Sequence, residues 1–454
     1  MALTCLSHGG SHDDTSSLSP LASRSVAVLG GGWAGMAAAV TLAQARVPVT
    51  VYEAARTLGG RARRVDVNGL ALDNGLHILI GAYRECLRLI ALVSAPASIE
   101  SGLIRKPLDL NFPGKFRLRA PALPAPLHLA AGLLMAKGLK FSDRMRAARF
   151  MSQLRALQFT LKQDISVDAL LSRFHQSAVT RRYLWEPLCI SALNTRPEDA
   201  SAQVFLNVLR DSLNGTRKDS ELLLPIRDLS ALFPEPAGRF VEAAGGKVRL
   251  GYAVHSVQES AGRFLVRTAA GEEEFTHVVC ALPPYRAGDA LAAFPALAGT
   301  LDMISQLHHE PICSVYLQYP PRTRLPQAML GLEGGAAQWV FDRGQLCAQD
   351  GLLGVVISAH RRHEAVDQEK LGAQVRTELQ TAFPSLPAAL WTKVIEERRA
   401  TFACTVGVKR PQQRTSVANL YLAGDYTDSP YPATLEAAVC SGVACARMVL
   451  GSTN

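Results

Sequence analysis

The chain has 454 residues, 48% of them hydrophobic and 19% charged, with a formal net charge of +9. That is enough apolar material for two domains or one large one, and it excludes a disordered chain. It also excludes a spanning helix: the greasiest stretch, PALPAPLHLAAGLLMA at 121–136, is broken by three prolines and a histidine.

Residues 1–23 carry Ser, Asp and Gly without an apolar core. They read as a disordered leader, not as a secretory signal. Order begins at SVAVLGGGWAG, a strand running through glycines into the helical AAAVTLAQA, and PVTVYEA follows as a second strand. The unit is βαβ with a parallel sheet. Gly30-x-Gly32-x-x-Gly35 stands directly between the first strand and its helix, the context a dinucleotide fingerprint requires. The first glycine serves the tight turn, the second lets the backbone approach a pyrophosphate, and the third packs helix on strand; Ala34 lies within the same turn. The helix N-terminus offers unpaired N–H groups to the phosphates. Glu53, ending the second strand, is placed to bond a ribose 2′-hydroxyl, which selects FAD or NAD over NADP.

The next segment favours FAD. Leu58-Gly59-Gly60-Arg61-Ala62 again combines bare backbone, at Gly60, with a cation, Arg61, that can meet a phosphate. After it comes DNGLH, where Asp73, Asn74 and His77 could reach a flavin or a reacting oxygen. His77 titrates near neutrality and is the expected proton donor; Tyr83, Tyr431 and Asn194 are its alternates.

Residues 85–237 have a different texture, with Leu, Arg and Ala at helical spacing. Phe150, Leu154, Leu157 and Leu161 fall on one predicted helical face. Basic residues crowd 137–162, where Asp143 is the single acid. No nucleic-acid module accompanies them, so a membrane surface is the expected partner. Short strands are predicted from KVRLGYAVHSV onward, at 314–319 and at 354–360, with a helix over 370–383. Nine cysteines without a CxxC pair suit thiols in a reducing cytoplasm, and no His/Cys/Asp spacing suggests a metal.

The chain ends in LYLAGDY, a strand and turn, followed by a helix from Thr434 and Leu435. Asp425, after Gly424, could accept from a ribityl hydroxyl, and the helix would aim its positive end at the flavin pyrimidine. An N-terminal fingerprint paired with this distant segment implies FAD.

Together these motifs resemble the flavin amine oxidase and phytoene desaturase superfamily over nearly the whole ordered chain. The resemblance implies an α/β fold: a discontinuous Rossmann-like FAD-binding domain (residues 24–84, 238–286 and 415–454) and a second substrate domain of mixed sheet and helices (85–237 helical, 287–414 strands and a helix). It also places Val254 on the adenine. LALDNGLHILIGAYRECLRLI, WEPLCISALNTRPEDASAQVFLNVLRDSL, LLLPIRDLSALFPEPA and AGDYTDSPYPATLEAAVCSG are similar to the squalene-associated branch, the hydroxysqualene dehydroxylases, with Leu76 standing where that branch leads one to expect glutamine. The branch implies FAD-dependent reduction of a hydrophobic triterpenoid, hydroxysqualene, to squalene for hopanoid biosynthesis. With so insoluble a substrate, the basic stretch 137–162 is expected to hold the cytoplasmic enzyme in peripheral contact with the inner membrane face, within reach of other squalene-pathway enzymes. A carotenoid desaturase, and a lipid-binding scaffold that keeps its flavin as a structural part, are the alternatives.

Overall fold

The computed structural model describes residues 24–94, 102–359 and 367–451. The expected leader lies outside them, as does His360 at the end of the predicted strand 354–360. Five parallel strands form the central sheet in the order Lys247–Leu250, Val49–Glu53, Val26–Leu29, His277–Cys280 and Leu420–Leu422. The four strands from Val49–Glu53 to Leu420–Leu422 are buried on both faces and are nearly continuous apolar runs, as a parallel sheet requires, while the edge strand Lys247–Leu250 is partly exposed. Three sections of chain, far apart in sequence, therefore build one sheet.

The first and last sections are joined through helix on helix. Trp33–Gln44 packs along Leu435–Leu450, and a Cβ at Gly442 would lie 2.0 Å from the Ala34 carbonyl oxygen. Only a bare backbone allows that approach. Glu436 adds a polar tie, since its carboxylate accepts from the N–H groups of Glu85 and Cys86, both at 2.9 Å. These donors open the helix Arg84–Val93, so a buried acid on the last helix caps another helix across the interface. Burial raises its pKa above the usual glutamate value.

Between sections of the parallel sheet, Val254–Ser260, Arg263–Thr268 and Gly271–Phe275 form an antiparallel sheet. The second domain rests on a sheet ordered Met329–Gly331, Trp339–Asp342, Leu352–Ser358, His309–Gln318 and Trp391–Phe402. Cys313, Val315, Leu317, Val355 and Ile357 alternate onto one face and cluster with Leu371, Val375 and Leu379 of the helix Gln368–Ala382. The opposite face turns toward the first domain.

Residues 85–237 are mainly helical, as the spacing predicts, but strands interrupt them. Asp109–Phe112 pairs with Phe116–Arg119, and Leu222–Pro225 pairs with Leu79–Ile80 and Leu103–Lys106. The predicted face of Phe150, Leu154, Leu157 and Leu161 is shorter than its periodicity. Phe150 and Leu154 are buried, but the helix Phe141–Ala156 stops there and leaves Leu157 exposed. Six of the eight described thiols are buried and serve as small apolar side chains.

Candidate active site

A cavity of about 590 Å³ opens at the carboxyl ends of the parallel strands, where the two domains meet. Such crevices are where open α/β sheets bind ligands. Gly30 adopts φ +104°, and a Cβ there would sit 2.7 Å from the Ala281 carbonyl oxygen. The turn therefore requires glycine. Gly35 is needed for packing, because its Cβ would lie 1.9 Å from the Gly30 carbonyl oxygen. Gly32 differs from both. It has ordinary φ −75°, and the nearest atom to a Cβ is Gly60 Cα at 3.8 Å, so a side chain would enter the cavity.

The helix Trp33–Gln44 begins at this open position with no acid in its first turn and no capping side chain among the described residues. Its first N–H groups and its positive end are free to meet an anion. Two bonds hold the second glycine loop alongside: Gly59 N–H donates to Gly31 O at 2.9 Å, and Trp33 Nε1 donates to Ala62 O at 3.1 Å. Glu53 lines the cavity, its carboxylate accepting from Gly31 N–H at 2.7 Å and from Ala55 N–H at 2.8 Å. Each oxygen keeps a second lone pair for a ligand hydroxyl.

From the far end of the chain, Gly424 and Asp425 enter the same wall, with Thr434 and Leu435 opening the last helix. Arg61 donates to the Asp425 carboxylate and, at 2.7 Å, to the Ala400 carbonyl. Fingerprint, acid, second glycine loop and C-terminal carboxylate thus border one cavity. Ala34 lines it too. Val254 stands outside the described wall. It opens its strand two residues beyond Tyr252, whose N–H donates to Glu53 O at 2.9 Å.

The DNGLH residues divide. The Asp73 carboxylate turns away from the cavity, accepting from Leu229 N–H at 2.8 Å and facing Arg343 at 3.5 Å. Burial pushes its pKa up to about 6 despite that cation. Asp73 joins elements and does not face the reacting space, which corrects the expectation that it could reach it. Asn74 does line the cavity, its Nδ2 donating to Glu397 Oε2 at 3.0 Å and to Arg61 O at 3.3 Å. His77 also lines it, with Nδ1 2.6 Å from the Gly75 carbonyl oxygen. A carbonyl can only accept, so Nδ1 carries the proton and Nε2 presents a lone pair. Burial, then Arg61, lowers the His77 pKa. That shift favours the neutral ring, in which Nε2 is an acceptor.

Asn194 is fully engaged, accepting from Ala359 N–H at 2.6 Å and donating to Thr401 Oγ1 at 2.9 Å. Glu397, which sequence reasoning missed, brings a carboxyl into the same space from the strand Trp391–Phe402. Its surroundings read EERRAT, an ordinary solvated charge run, so nothing local singled it out.

A second chamber of about 150 Å³ adjoins the first, and Ile78, Tyr83, Ser191, Ala192, Trp339 and Thr434 border both. Leu108, Leu110, Pro187, Leu188, Leu209, Leu222 and Met329 make most of its remaining wall apolar. Tyr431 lines it beside Asp211, and burial pushes the phenol up to about 12. Tyr83 is half-buried at the junction, and its phenol is likewise raised by desolvation.

The fold and the cavity define a nucleotide-binding oxidoreductase of two domains. Residues 33–450 match the family described as flavin containing amine oxidoreductase, and the chain belongs to it. It is a flavin-dependent oxidoreductase with FAD as cofactor. Gly32's open cradle and the uncapped helix end beside it fit the anionic centre of that nucleotide.

Among curated relatives it is similar to the hydroxysqualene dehydroxylase of Rhodopseudomonas palustris, 30% identical with 95% of this chain and 99% of that one covered. The Zymomonas mobilis protein of the same name is 26% identical over 93% and 98%. A zeta-carotene desaturase of Solanum lycopersicum is 24% identical over 92% and 79%. Among solved structures, an oxidoreductase from Methanosarcina mazei has TM-score 0.72 at 14% identity, covering 92% of this chain and 99% of that one. A putrescine oxidase bound to putrescine has TM-score 0.68 at 17% identity, covering 94% and 99%. These structural likenesses bear on the fold alone.

Proposed function

We propose that the protein reduces hydroxysqualene to squalene, replacing an allylic hydroxyl by hydrogen. The observation that carries this reading is the apolar chamber bordering the nucleotide cavity, in a chain that is 26–30% identical, over nearly its whole length, to three hydroxysqualene dehydroxylases. The chamber suits a hydrocarbon chain, and the six residues common to both spaces would bring its functional end toward the cofactor. Glu53 and Asp425 would hold the ribose and ribityl hydroxyls, Gly32 and the helix behind it the pyrophosphate, and Thr434 with Leu435 the pyrimidine edge. Reduced FAD supplies the hydride.

The protein's own tasks are to hold the hydroxyl, give it a proton as it leaves as water, and keep bulk water from the allylic cation. His77 Nε2 accepts from the hydroxyl and so orients it. The proton comes from Glu397. Glu53 is held by two backbone N–H groups and Asp425 by Arg61, whereas Glu397 accepts from the amide of Asn74 at 3.0 Å and, at a longer 3.4 Å, from Arg399 N–H, with no bidentate cation on it among the described residues. Asn74 then positions the acid, and the side chains of Trp339, Phe341 and Val356 exclude water.

Incubating hydroxysqualene with FAD-loaded protein and dithionite, then identifying products by mass, tests the reading. Squalene is expected. Unchanged hydroxysqualene, or oxidative desaturation of carotenoid precursors without reductant, would replace it with the desaturase reading.

A further inference from the structure

The helix Leu127–Leu134 has two unlike sides. Inward, the ring of His128 is buried and its Nε2 lies 3.0 Å from Ser220 Oγ, and Ser220 is part of the apolar chamber's wall. Outward, Leu127 and Leu134 are 56% and 48% exposed, and Met135 and Phe141 follow at 61% and 67%, with Met145 beyond. The helix Phe141–Ala156 is tied to the end of the first by Arg144, whose guanidinium donates to the carbonyls of Leu134 and Leu139. The exposed side chains therefore gather at one place. A soluble surface seldom shows so many large apolar groups together unless something covers them.

Charge indicates what that is. Lys137, Lys140, Arg146 and Arg149 are exposed around the apolar centre, while the stretch's one acid, Asp143, is buried and faces Arg146 at 3.6 Å. Apolar side chains ringed by cations match an anionic lipid surface, which takes the first into its acyl boundary and the second among its headgroups. A second copy of the chain would set this cationic rim against itself.

We propose that this face docks on an anionic bilayer, with the helix Leu127–Leu134 lying between the lipid and the apolar chamber. An isoprenoid then passes from membrane to chamber around one short helix without crossing water. This route rests on the substrate being a lipid-soluble hydrocarbon, as proposed above; the docking itself does not.

The test floats FAD-loaded protein with vesicles of phosphatidylcholine alone or mixed with phosphatidylglycerol. The anionic vesicles should retain it at least about tenfold better than the neutral ones. Met135→Ser with Phe141→Ser, and separately Lys137→Glu with Lys140→Glu, should each lower retention by about tenfold or more. Turnover of detergent-dispersed substrate should stay within about twofold, while turnover of vesicle-embedded substrate falls with retention. Equal retention of variants and wild type would overturn the proposal. So would a dimer in sedimentation velocity that Met135→Ser with Phe141→Ser dissolves without change in vesicle binding. Protein that floats through this face yet makes no squalene supports the docking surface and overturns the substrate reading.

Discussion

Gly32→Ala separates binding from folding in a way the neighbouring glycines cannot. The backbone at Gly32 has φ −75°, open to any residue, and a new Cβ would have Gly60 Cα at 3.8 Å as its nearest neighbour. That is ordinary contact, so the unliganded protein should keep its fold. Alanine is a poorer N-cap than glycine by roughly 0.5–1 kcal/mol, and it restricts the unfolded chain by a similar roughly 0.4–1 kcal/mol, so the two effects largely cancel. The methyl group, however, occupies the space in front of the helix N-terminus. Displacing a pyrophosphate from one or two charge-assisted N–H bonds should cost about 2–4 kcal/mol of FAD affinity, roughly 30- to 1000-fold. Gly35→Ala is the control, because its Cβ would meet the Gly30 carbonyl oxygen at 1.9 Å and force helix from strand. It should destabilise the unliganded protein by about 2–3 kcal/mol or more. Flavin titration followed by calorimetry, with chemical denaturation of the flavin-free proteins, reads both quantities. If Gly32→Ala binds FAD within threefold of wild type, the phosphates do not lie at this helix end and the reasoning fails.

Three other perturbations address different parts of the account. Glu397→Gln should lower turnover by about a hundredfold or more while FAD affinity stays within a few-fold, whereas His77→Gln should cost under about tenfold; the reverse order in steady-state rates would return the proton to the histidine. The Asp73 pKa is raised to about 6 from 3.8 by burial, so the folded protein holds a proton the unfolded chain has released. Stability from this group is present below about pH 4 and is lost as pH rises toward 6, by up to about 3 kcal/mol. Asp73→Asn should remove that slope, and parallel pH profiles of unfolding free energy for both proteins would contradict it. Gly442→Leu should drive the first and last helices apart, lowering the denaturation midpoint and FAD retention together; loss of neither would disprove the close crossing at Ala34.

Much of the nucleotide site was legible because its requirements are local. A turn at Gly30, an acid ending the next strand at Glu53 and a carboxylate after the strand Leu420–Leu422 leave short signatures in sequence. The helix start at Thr434 was likewise readable, and its hydroxyl caps Ala437 N–H at 3.2 Å. The polar residues of the reacting space were not legible. Asp73 looked free to act because its partner Arg343 is remote in sequence, and His77 looked titratable because burial and the Gly75 carbonyl are properties of the folded cavity. Glu397 was hidden among neighbouring charges. The strands Leu103–Lys106 and Leu222–Pro225 escaped notice for a related reason: each is four residues long, and their pairing spans a helical region. Residues 137–162 read as a basic helical stretch, but the exposed apolar side chains beside it, from Leu127 to Met145, became visible as one surface only with exposure.

The central claim is that one cavity brings FAD and a lipid hydroxyl into reacting distance. Anaerobic mixing of stoichiometrically reduced holoenzyme with hydroxysqualene, following flavin reoxidation and squalene together, tests it most directly. The account predicts reoxidation in step with squalene, one molecule formed for each flavin oxidised. Flavin that stays reduced in the presence of saturating substrate, or that reoxidises without squalene, would contradict it.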